Sequence, residues 1–213
     1  MSDALWGVLD GINESGLAVS LAFGGRVDVG KGFGIPLILR YILEFCEDTP
    51  SAIEVLKRVP THMSYNITVV DRLQQFATVY VTPDKPAAVR QVPYATNHQG
   101  RIEWPRHAWA TATLERESAV QAVFSDPGQT AEGLLQCFHE APVFNSAYQR
   151  GFGTLYTAVY QPADSSVDII WPHASWNLGM DHFVEQEMRV SYDIGPVPAE
   201  AESACPRENG DLI

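Results

Sequence analysis

Asn97 offers the clearest chemistry in this sequence, because it lies in a polar block that directly follows a predicted strand. The block is residues 94–99 (YATNHQ), and the strand before it ends at Pro93. A side-chain amide at a strand end can donate a hydrogen bond to an oxygen that gains negative charge during a reaction. The same amide can also satisfy the backbone of a turn, which is the commoner use of asparagine. The residues alone leave both interpretations open.

The three cysteines are weaker candidates for a nucleophile. Cys46 ends an apolar helical pattern, and Cys137 lies in the apolar run 134–138. A thiol in apolar surroundings stays protonated and unreactive. We therefore predict that both are buried hydrophobic residues. Cys205 lies in a polar C-terminal stretch, and three cysteines do not form a disulfide framework.

The sequence predicts no metal and no cofactor. The spacing of the histidines is not typical of a ligand set, and His139-Glu140 lacks the second histidine of a zinc-protease helix. The glycine-rich stretch 24–34 (GGRVDVGKGFG) matches neither a dinucleotide-binding fingerprint nor a phosphate-binding loop. It is interpreted as a flexible loop near the mouth of a site, or as a plain connection.

The first half of the chain is predicted to hold a hairpin, two helices and a meander. Apolar runs at 5–9 and 17–21, with turn formers between them, indicate the hairpin. A helix is predicted from Ile35 or Pro36 to Phe45, and a second from an N-cap at Thr49. Alternating segments predict three successive strands over 65–70, 76–81 and 88–92.

The second half is predicted to hold two helices and further strands. The helices are expected over 105–124 and 129–139, and the strands over 154–160, 167–171 and 188–192. Strands and helix pairs in this order predict a layered α+β fold. We assign residues 1–193 to one domain and 194–213, which are rich in Pro, Glu and Ala, to a disordered acidic tail.

Composition excludes several classes of partner. The net charge is −12 with 14 basic residues, which argues against nucleic acid because binding phosphates needs clustered cations. No apolar run is long enough to span a membrane, and no basic leader precedes an apolar stretch. We therefore expect no nucleic acid, no membrane and a cytoplasmic location.

Five separated blocks resemble the acyl-coenzyme A:isopenicillin-N acyltransferase-like family. They are 10–25 (DGINESGLAVSLAFGG), 32–46 (GFGIPLILRYILEFC), 62–71 (HMSYNITVVD), 95–107 (ATNHQGRIEWPRH) and 144–160 (FNSAYQRGFGTLYTAVY). The likeness runs in order over about residues 5–193. These proteins are N-terminal-nucleophile (Ntn) hydrolases related to the choloylglycine hydrolases. The resemblance implies a four-layer αββα sandwich, in this chain with part of one sheet missing at the N-terminal side.

The resemblance also implies an activity and its site. We expect an acyltransferase or amidohydrolase that acts on linear, non-peptide C–N amide or thioester bonds through an acyl-enzyme. The family's Thr-Asn-His block matches Asn97 and implies an oxyanion-hole donor, and Arg150 is the nearest match to the family's catalytic-site arginine. Tyr65, Asn66 and His98 are placed at the substrate. For Tyr65, core packing accounts for the residue equally well, and His98 is expected to hydrogen-bond structurally rather than act as a base.

Ntn catalysis needs a first residue whose side chain attacks while its own α-amino group takes the proton. Family members keep this cysteine well before the block at 10–25, so we expect the nucleophile to lie outside this sequence. It would come from an N-terminal partner chain or a piece encoded upstream. Ser2 is a minor alternative, exposed by removal of Met1. The other alternative is a catalytically inactive, truncated binding module. An uncovered sheet edge also favours a homo-oligomer.

Overall fold

The computed structural model describes residues 2–3, 6–185 and 187–192. Its first half forms seven strands: β1 Ser2–Asp3, β2 Gly7–Val8, β3 Asp10–Ile12, β4 Ala18–Phe23, β5 Tyr65–Val70, β6 Phe76–Val81 and β7 Ala88–Arg90. Strands β3 to β7 make one antiparallel sheet in sequence order, and β1 pairs separately with β2. The predicted meander is confirmed. The hairpin is formed by 10–12 and 18–23 rather than 5–9 and 17–21, so part of the predicted turn is a strand.

Two helices cover one face of the five-stranded sheet. Helix α1 (Ile35–Phe45) has Pro36 in its first turn and buries Ile35, Ile38, Leu39 and Ile42, which follow a three-and-four spacing. Helix α2 (Thr49–Arg58) begins with Asp48 as its N-cap, whose carboxylate accepts from the Ser51 N–H at 2.9 Å. The predicted N-cap at Thr49 is therefore wrong by one residue. The Thr49 hydroxyl instead donates to the carbonyl of Gln75 at 2.9 Å, which ties α2 to the sheet.

The core lies between these helices and the sheet. Side chains that point to the helices are almost fully buried: Leu17, Val19, Ile67, Val69, Ala77 and Val79. Because successive strand residues point to opposite faces, Asn66, Thr68 and Thr78 lie on the other face. These polar side chains of β5 and β6 thus point away from the main core.

Three more helices follow the sheet: α3 (Pro105–Ala110), α4 (Thr113–Ser125) and α5 (Ala131–Cys137). The prediction of one helix over 105–124 is wrong at Ala112, which has a φ of +46° and separates α3 from α4. A left-handed residue interrupts helical hydrogen bonding and turns the chain. The break directs Thr113 into the interior, where its side chain is fully buried.

A second antiparallel sheet holds β8 (Thr157–Gln161), β9 (Ser166–Trp171) and β10 (Ala174–Gly179) in the order β10-β9-β8. Strand β10 was not predicted from sequence, and residues 188–192 do not form the strand predicted there. The fold class is confirmed as α+β, with two main antiparallel sheets and five α-helices among the described residues. The missing portion of a sheet stays a prediction, and the predicted tail at 194–213 lies outside the described residues.

The glycine-rich loop is anchored by a buried cation. Arg26 is 5% exposed and donates to Glu103 at 2.8 Å, to Asp84 at 2.7 Å and to Asp28 at 2.8 Å. Hydrogen bonds from Arg26 lower the pKa of both Asp84 and Glu103. The loop predicted to be flexible is therefore held, at its start, to two other parts of the chain.

We expect the Arg26 cluster to make the protein less stable in acid. Carboxyl groups with a lowered pKa in the folded state contribute stability above their unfolded pKa of about 4, and that contribution is lost as the pH falls further. The urea-unfolding free energy should thus fall between about pH 5 and about pH 3. In Arg26→Gln the same interval should show a smaller fall, because the charge partner is gone. Equal falls in both proteins would contradict the assignment.

Candidate active site

A cleft of about 290 Å³ lies on the face of the five-stranded sheet opposite α1 and α2. Ser20, Asn66 and Thr68 of β4 and β5 form part of its surface. The segment 93–96 and Arg116 of α4 line it as well. Most of its other side chains are apolar and come from α4, α5 and the segment after them: Val120, Phe124, Leu134, Phe138 and Val143. The cleft thus joins a polar part on the sheet to an apolar part under the helices.

Asn66 holds the 96–98 segment onto the sheet. Its side chain is 1% exposed, and its amide nitrogen donates to the carbonyls of Thr96 at 2.7 Å and His98 at 2.9 Å. Because carbonyl oxygens only accept hydrogen bonds, the two carbonyls show that the nitrogen end of the Asn66 amide faces them. Its Oδ1 is buried and accepts no hydrogen bond from a described residue. Asn66 therefore supports the loop while its own side chain lies at the cleft.

Asn97 is oriented by a neighbouring arginine. The Nη1 of Arg116 donates to Oδ1 of Asn97 at 2.8 Å. That bond occupies the amide oxygen and leaves the Nδ2 hydrogens available, since Nδ2 has no hydrogen bond to a described residue. Asn97 itself does not line the cleft; Thr96 before it and Arg116 beside it do. The amide is thus held next to the cleft with its donor end unused.

Arg116 was not predicted as a site residue from the sequence. In the structure it is the positively charged residue that lines the cleft. Burial lowers the pKa of its guanidinium, and its Nε is buried with no partner among the described residues. Besides Asn97, it approaches the carbonyl of Thr111 at 3.4 Å. A signal was present: Arg116 follows the buried Thr113 by three residues and precedes the buried Val120 by four. Burying a charged side chain on the inward face of a helix costs folding free energy, so its presence there indicates a functional or structural partner.

The backbone of Asn97 is approached closely by the glycine-rich loop. Gly25 has a φ of +68°, and a Cβ there would lie 2.3 Å from the carbonyl oxygen of Asn97. Only glycine tolerates both the backbone conformation and the contact. The loop and the Asn97 segment are therefore packed against each other.

His98 is buried and lies within hydrogen-bond distance of side chains on both the loop and α4. It is 5% exposed, and its Nδ1 lies 3.2 Å from the Thr96 hydroxyl and 3.0 Å from the Thr113 hydroxyl. Its Nε2 lies 3.3 Å from a carboxylate oxygen of Glu117. Through these contacts His98 joins the loop to α4, the helix that carries Arg116.

Tyr65 and Arg150 lie elsewhere. The Tyr65 ring lies on the helix-covered side of the sheet, with its centroid 6.0 Å from that of Phe23, and burial raises its pKa. Arg150 is exposed in the short 3₁₀ helix Tyr148–Arg150. Residues 151–154 line a neighbouring cavity of about 220 Å³ that also touches Arg116. Of the predicted site residues, Asn66, Asn97 and His98 are brought together, and Tyr65 and Arg150 are not.

The described cysteines do not reach the cleft surface. Cys46 is buried in the core at the end of α1, and Cys137 is half-buried at the end of α5. Burial raises the pKa of both thiols. Cys205 lies outside the described residues. In the part of the chain that the structure describes, no three His, Cys, Asp or Glu side chains gather as a metal site requires, and no helix is long and apolar enough to cross a bilayer.

Two antiparallel sheets and five α-helices among the described residues define an α+β protein. The structural comparison supports the Ntn-hydrolase fold that the resemblance implied. A solved structure described as the Caenorhabditis elegans N-acylethanolamine-hydrolyzing acid amidase ortholog is similar, with a TM-score of 0.55 and 16% sequence identity over 83% of this chain and 80% of that one. The family described as acyl-coenzyme A:6-aminopenicillanic acid acyl-transferase matches residues 1–176, and the chain belongs to that family. No curated protein sequence matches the chain.

Proposed function

We propose that this chain supplies the substrate cleft and the oxyanion-stabilising amide of an acyltransferase or amidohydrolase. The bond acted on is a linear, non-peptide C–N amide or a thioester. The Arg116–Asn97 contact carries the proposal, because it presents the amide nitrogen of Asn97 as an unused donor next to the cleft. Family membership supports acyl transfer as the general reaction.

In the proposed reaction a nucleophile attacks the carbonyl carbon of the substrate. The carbonyl π electrons move to oxygen, and Nδ2 of Asn97 donates a hydrogen bond to the oxyanion. Collapse of this intermediate breaks the C–N or C–S bond and leaves the acyl group on the enzyme. The proton taken from the nucleophile by its base passes to the departing amine or thiolate. Water or an amine then attacks the acyl-enzyme and releases the product.

Each side chain at the cleft has a separate part in this proposal. Arg116 is a positioning residue that holds the oxygen of the Asn97 amide, so that the nitrogen end is presented. Asn66 and His98 fix the backbone of the same loop from the sheet and from α4. The apolar side chains of α4 and α5 provide a surface for the acyl group rather than for a charged leaving group.

The attacking group is proposed to come from outside this sequence. The thiols of Cys46 and Cys137 have raised pKa values and neither residue lines the cleft, which disfavours them as nucleophiles. Ser2 is also disfavoured, since its strand pairs with β2, and β2 lies against α1 rather than at the cleft.

The cytoplasmic location stays a prediction.

Intact-mass measurement after exposure to a reactive acyl thioester tests where the nucleophile is. We expect no acyl adduct on this chain alone, and an adduct once a Cys-initiated segment encoded upstream in the same reading frame is included. An adduct on the chain alone, mapped to one of its own residues, would contradict an external nucleophile. Absence of any adduct from the longer protein would favour an inactive binding module instead.

A further inference from the structure

A row of exposed apolar side chains runs along the outer side of α1. Phe33, Leu37, Tyr41 and Phe45 form this α1 stripe, and they are 58%, 48%, 42% and 68% exposed. The rings of Tyr41 and Phe45 contact each other, with centroids 4.8 Å apart. The four-residue spacing keeps Leu37, Tyr41 and Phe45 on one side of the helix. Phe33 precedes the helix, where it forms a β-bridge with Thr61, and lines the same groove as Leu37. The stripe therefore forms a continuous surface and not a scatter of single residues.

A groove of about 440 Å³ lies beside the stripe, between α1 and α2. Ile38, Val55 and Val59 contribute to it, and Arg58 is its one charged lining residue. With about 200 Å² for an aromatic side chain, the stripe alone exposes roughly 400 Å² of apolar surface. Contiguous patches of this size on a single chain are commonly interaction sites.

We propose that the α1 stripe is the interface of a homodimer in which two α1 helices cross antiparallel about a two-fold axis near Tyr41. This surface lies on the far side of the sheet from the cleft, so the proposal does not depend on the catalytic one. With its polar rim and the groove included, the stripe would bury close to the roughly 600 Å² of surface per partner at which stable interfaces begin.

The charges beside the stripe favour a second copy over another partner. Arg40 and Glu44 flank it and pair with each other within the helix at 2.6 Å. In an antiparallel crossing about Tyr41, Leu37 of one copy faces Phe45 of the other. Arg40 of one copy then lies two residues along the helix from the position that faces Glu44 of the other, within reach of its long side chain, and this pairing occurs twice. A two-fold interface needs a surface that is complementary to itself, and this pattern provides it. The match also offsets locally the repulsion expected between two copies of charge −12.

Sedimentation equilibrium of the full chain from about 1 to about 100 μM tests the proposal. We expect a monomer–dimer equilibrium that Leu37→Glu weakens about tenfold or more, since a charge would be buried in the contact against Phe45 of the other copy. The control is Leu73→Glu, because Leu73 is 73% exposed at the turn between β5 and β6, away from α1. It should change the dissociation constant less than about twofold. A wild-type monomer throughout, or equal effects of both substitutions, would overturn the proposal.

Charge exchange tests the antiparallel arrangement itself. Arg40→Glu and Glu44→Arg each place like charges opposite one another twice in their own homodimers, so each should dimerise several-fold more weakly. An equimolar mixture restores opposite charges at both positions and should form a heterodimer with nearly the wild-type dissociation constant. Unfolding curves establish that both variants are folded. If the folded variants stay monomeric in the mixture, the antiparallel α1 pairing is wrong.

Discussion

Replacing Asn97 by Ala is expected to reduce turnover by roughly a hundredfold or more in the enzyme completed with its attacking group. Removing the amide withdraws a hydrogen bond that forms only as negative charge develops on the carbonyl oxygen. Substrate binding in the ground state should change little, so kcat and kcat/KM should fall together. Steady-state kinetics on an amide and on a thioester of the same acyl group provide the measurement.

The control for Asn97→Ala is Asn177→Ala, on the second sheet. The Asn177 amide bonds Asp168 on the neighbouring strand and lies outside the cleft, so its removal should leave the rate within about twofold. Folding of both variants is checked by their unfolding midpoints. An Asn97→Ala enzyme that is folded and as fast as the parent would remove Asn97 from the mechanism.

Local pattern predicted much of the fold. Apolar residues at spacings of three and four from Leu37 to Phe45 predicted α1, and alternation defined β5 and β6 to the residue. The buried side of α1 was only partly predicted, because Leu37, Tyr41 and Phe45 are exposed in the structure. These signals are local because one face of each element must be buried against a single neighbour. The break between α3 and α4 is different, since the left-handed Ala112 carries no residue signal such as Gly or Asn. Strand β10 is different again, because Ala174, Trp176 and Leu178 alternate with Ser175, Asn177 and Gly179. Its local signal was present and was overlooked.

Site residues that belong to a sequence motif could be predicted. Those that reach the site only through long-range packing could not. Asn97 came from a motif that carries chemistry in the resembling family. The supporting contacts of Asn66 span 30 and 32 residues along the chain, and that of Arg116 spans 19. Nothing in the local sequence indicates which strand or helix lies against the loop. Tyr65 illustrates the reverse, because one residue of register decides whether a strand side chain points to the cleft or to the core.

The loop that carries Asn97 is held from three directions, and this explains how a connection can have a fixed geometry. Asn66 binds its carbonyls from the sheet, His98 binds α4, and Gly25 packs against the Asn97 carbonyl. Donors that stabilise an oxyanion are effective when they are already in place before the reaction. Of these three supports, Asn66 makes two buried hydrogen bonds with one group, so it is the most informative position to change.

Asn66→Asp is expected to destabilise the fold by about 2–4 kcal/mol at pH 7, although it changes no volume. The substitution replaces the donor nitrogen by an oxygen, which then faces the carbonyl oxygens of Thr96 and His98 in a buried place. A carboxylate there lacks donors, so its folded pKa should be raised above the unfolded value of about 3.9. Urea unfolding against pH is the measurement.

The sign of the pH dependence separates this cause from a general loss of packing. With the folded pKa raised, the variant's deficit relative to the parent should be smallest near pH 4, where the acid can donate one hydrogen bond, and should grow as the pH rises. Asn145→Asp is the matched control, because the Asn145 side chain accepts from the Ala147 N–H through its oxygen and an aspartate keeps that role. A deficit in Asn66→Asp that is the same at pH 4 and pH 7, or that equals the Asn145→Asp deficit, would show that the two carbonyl contacts do not hold the loop.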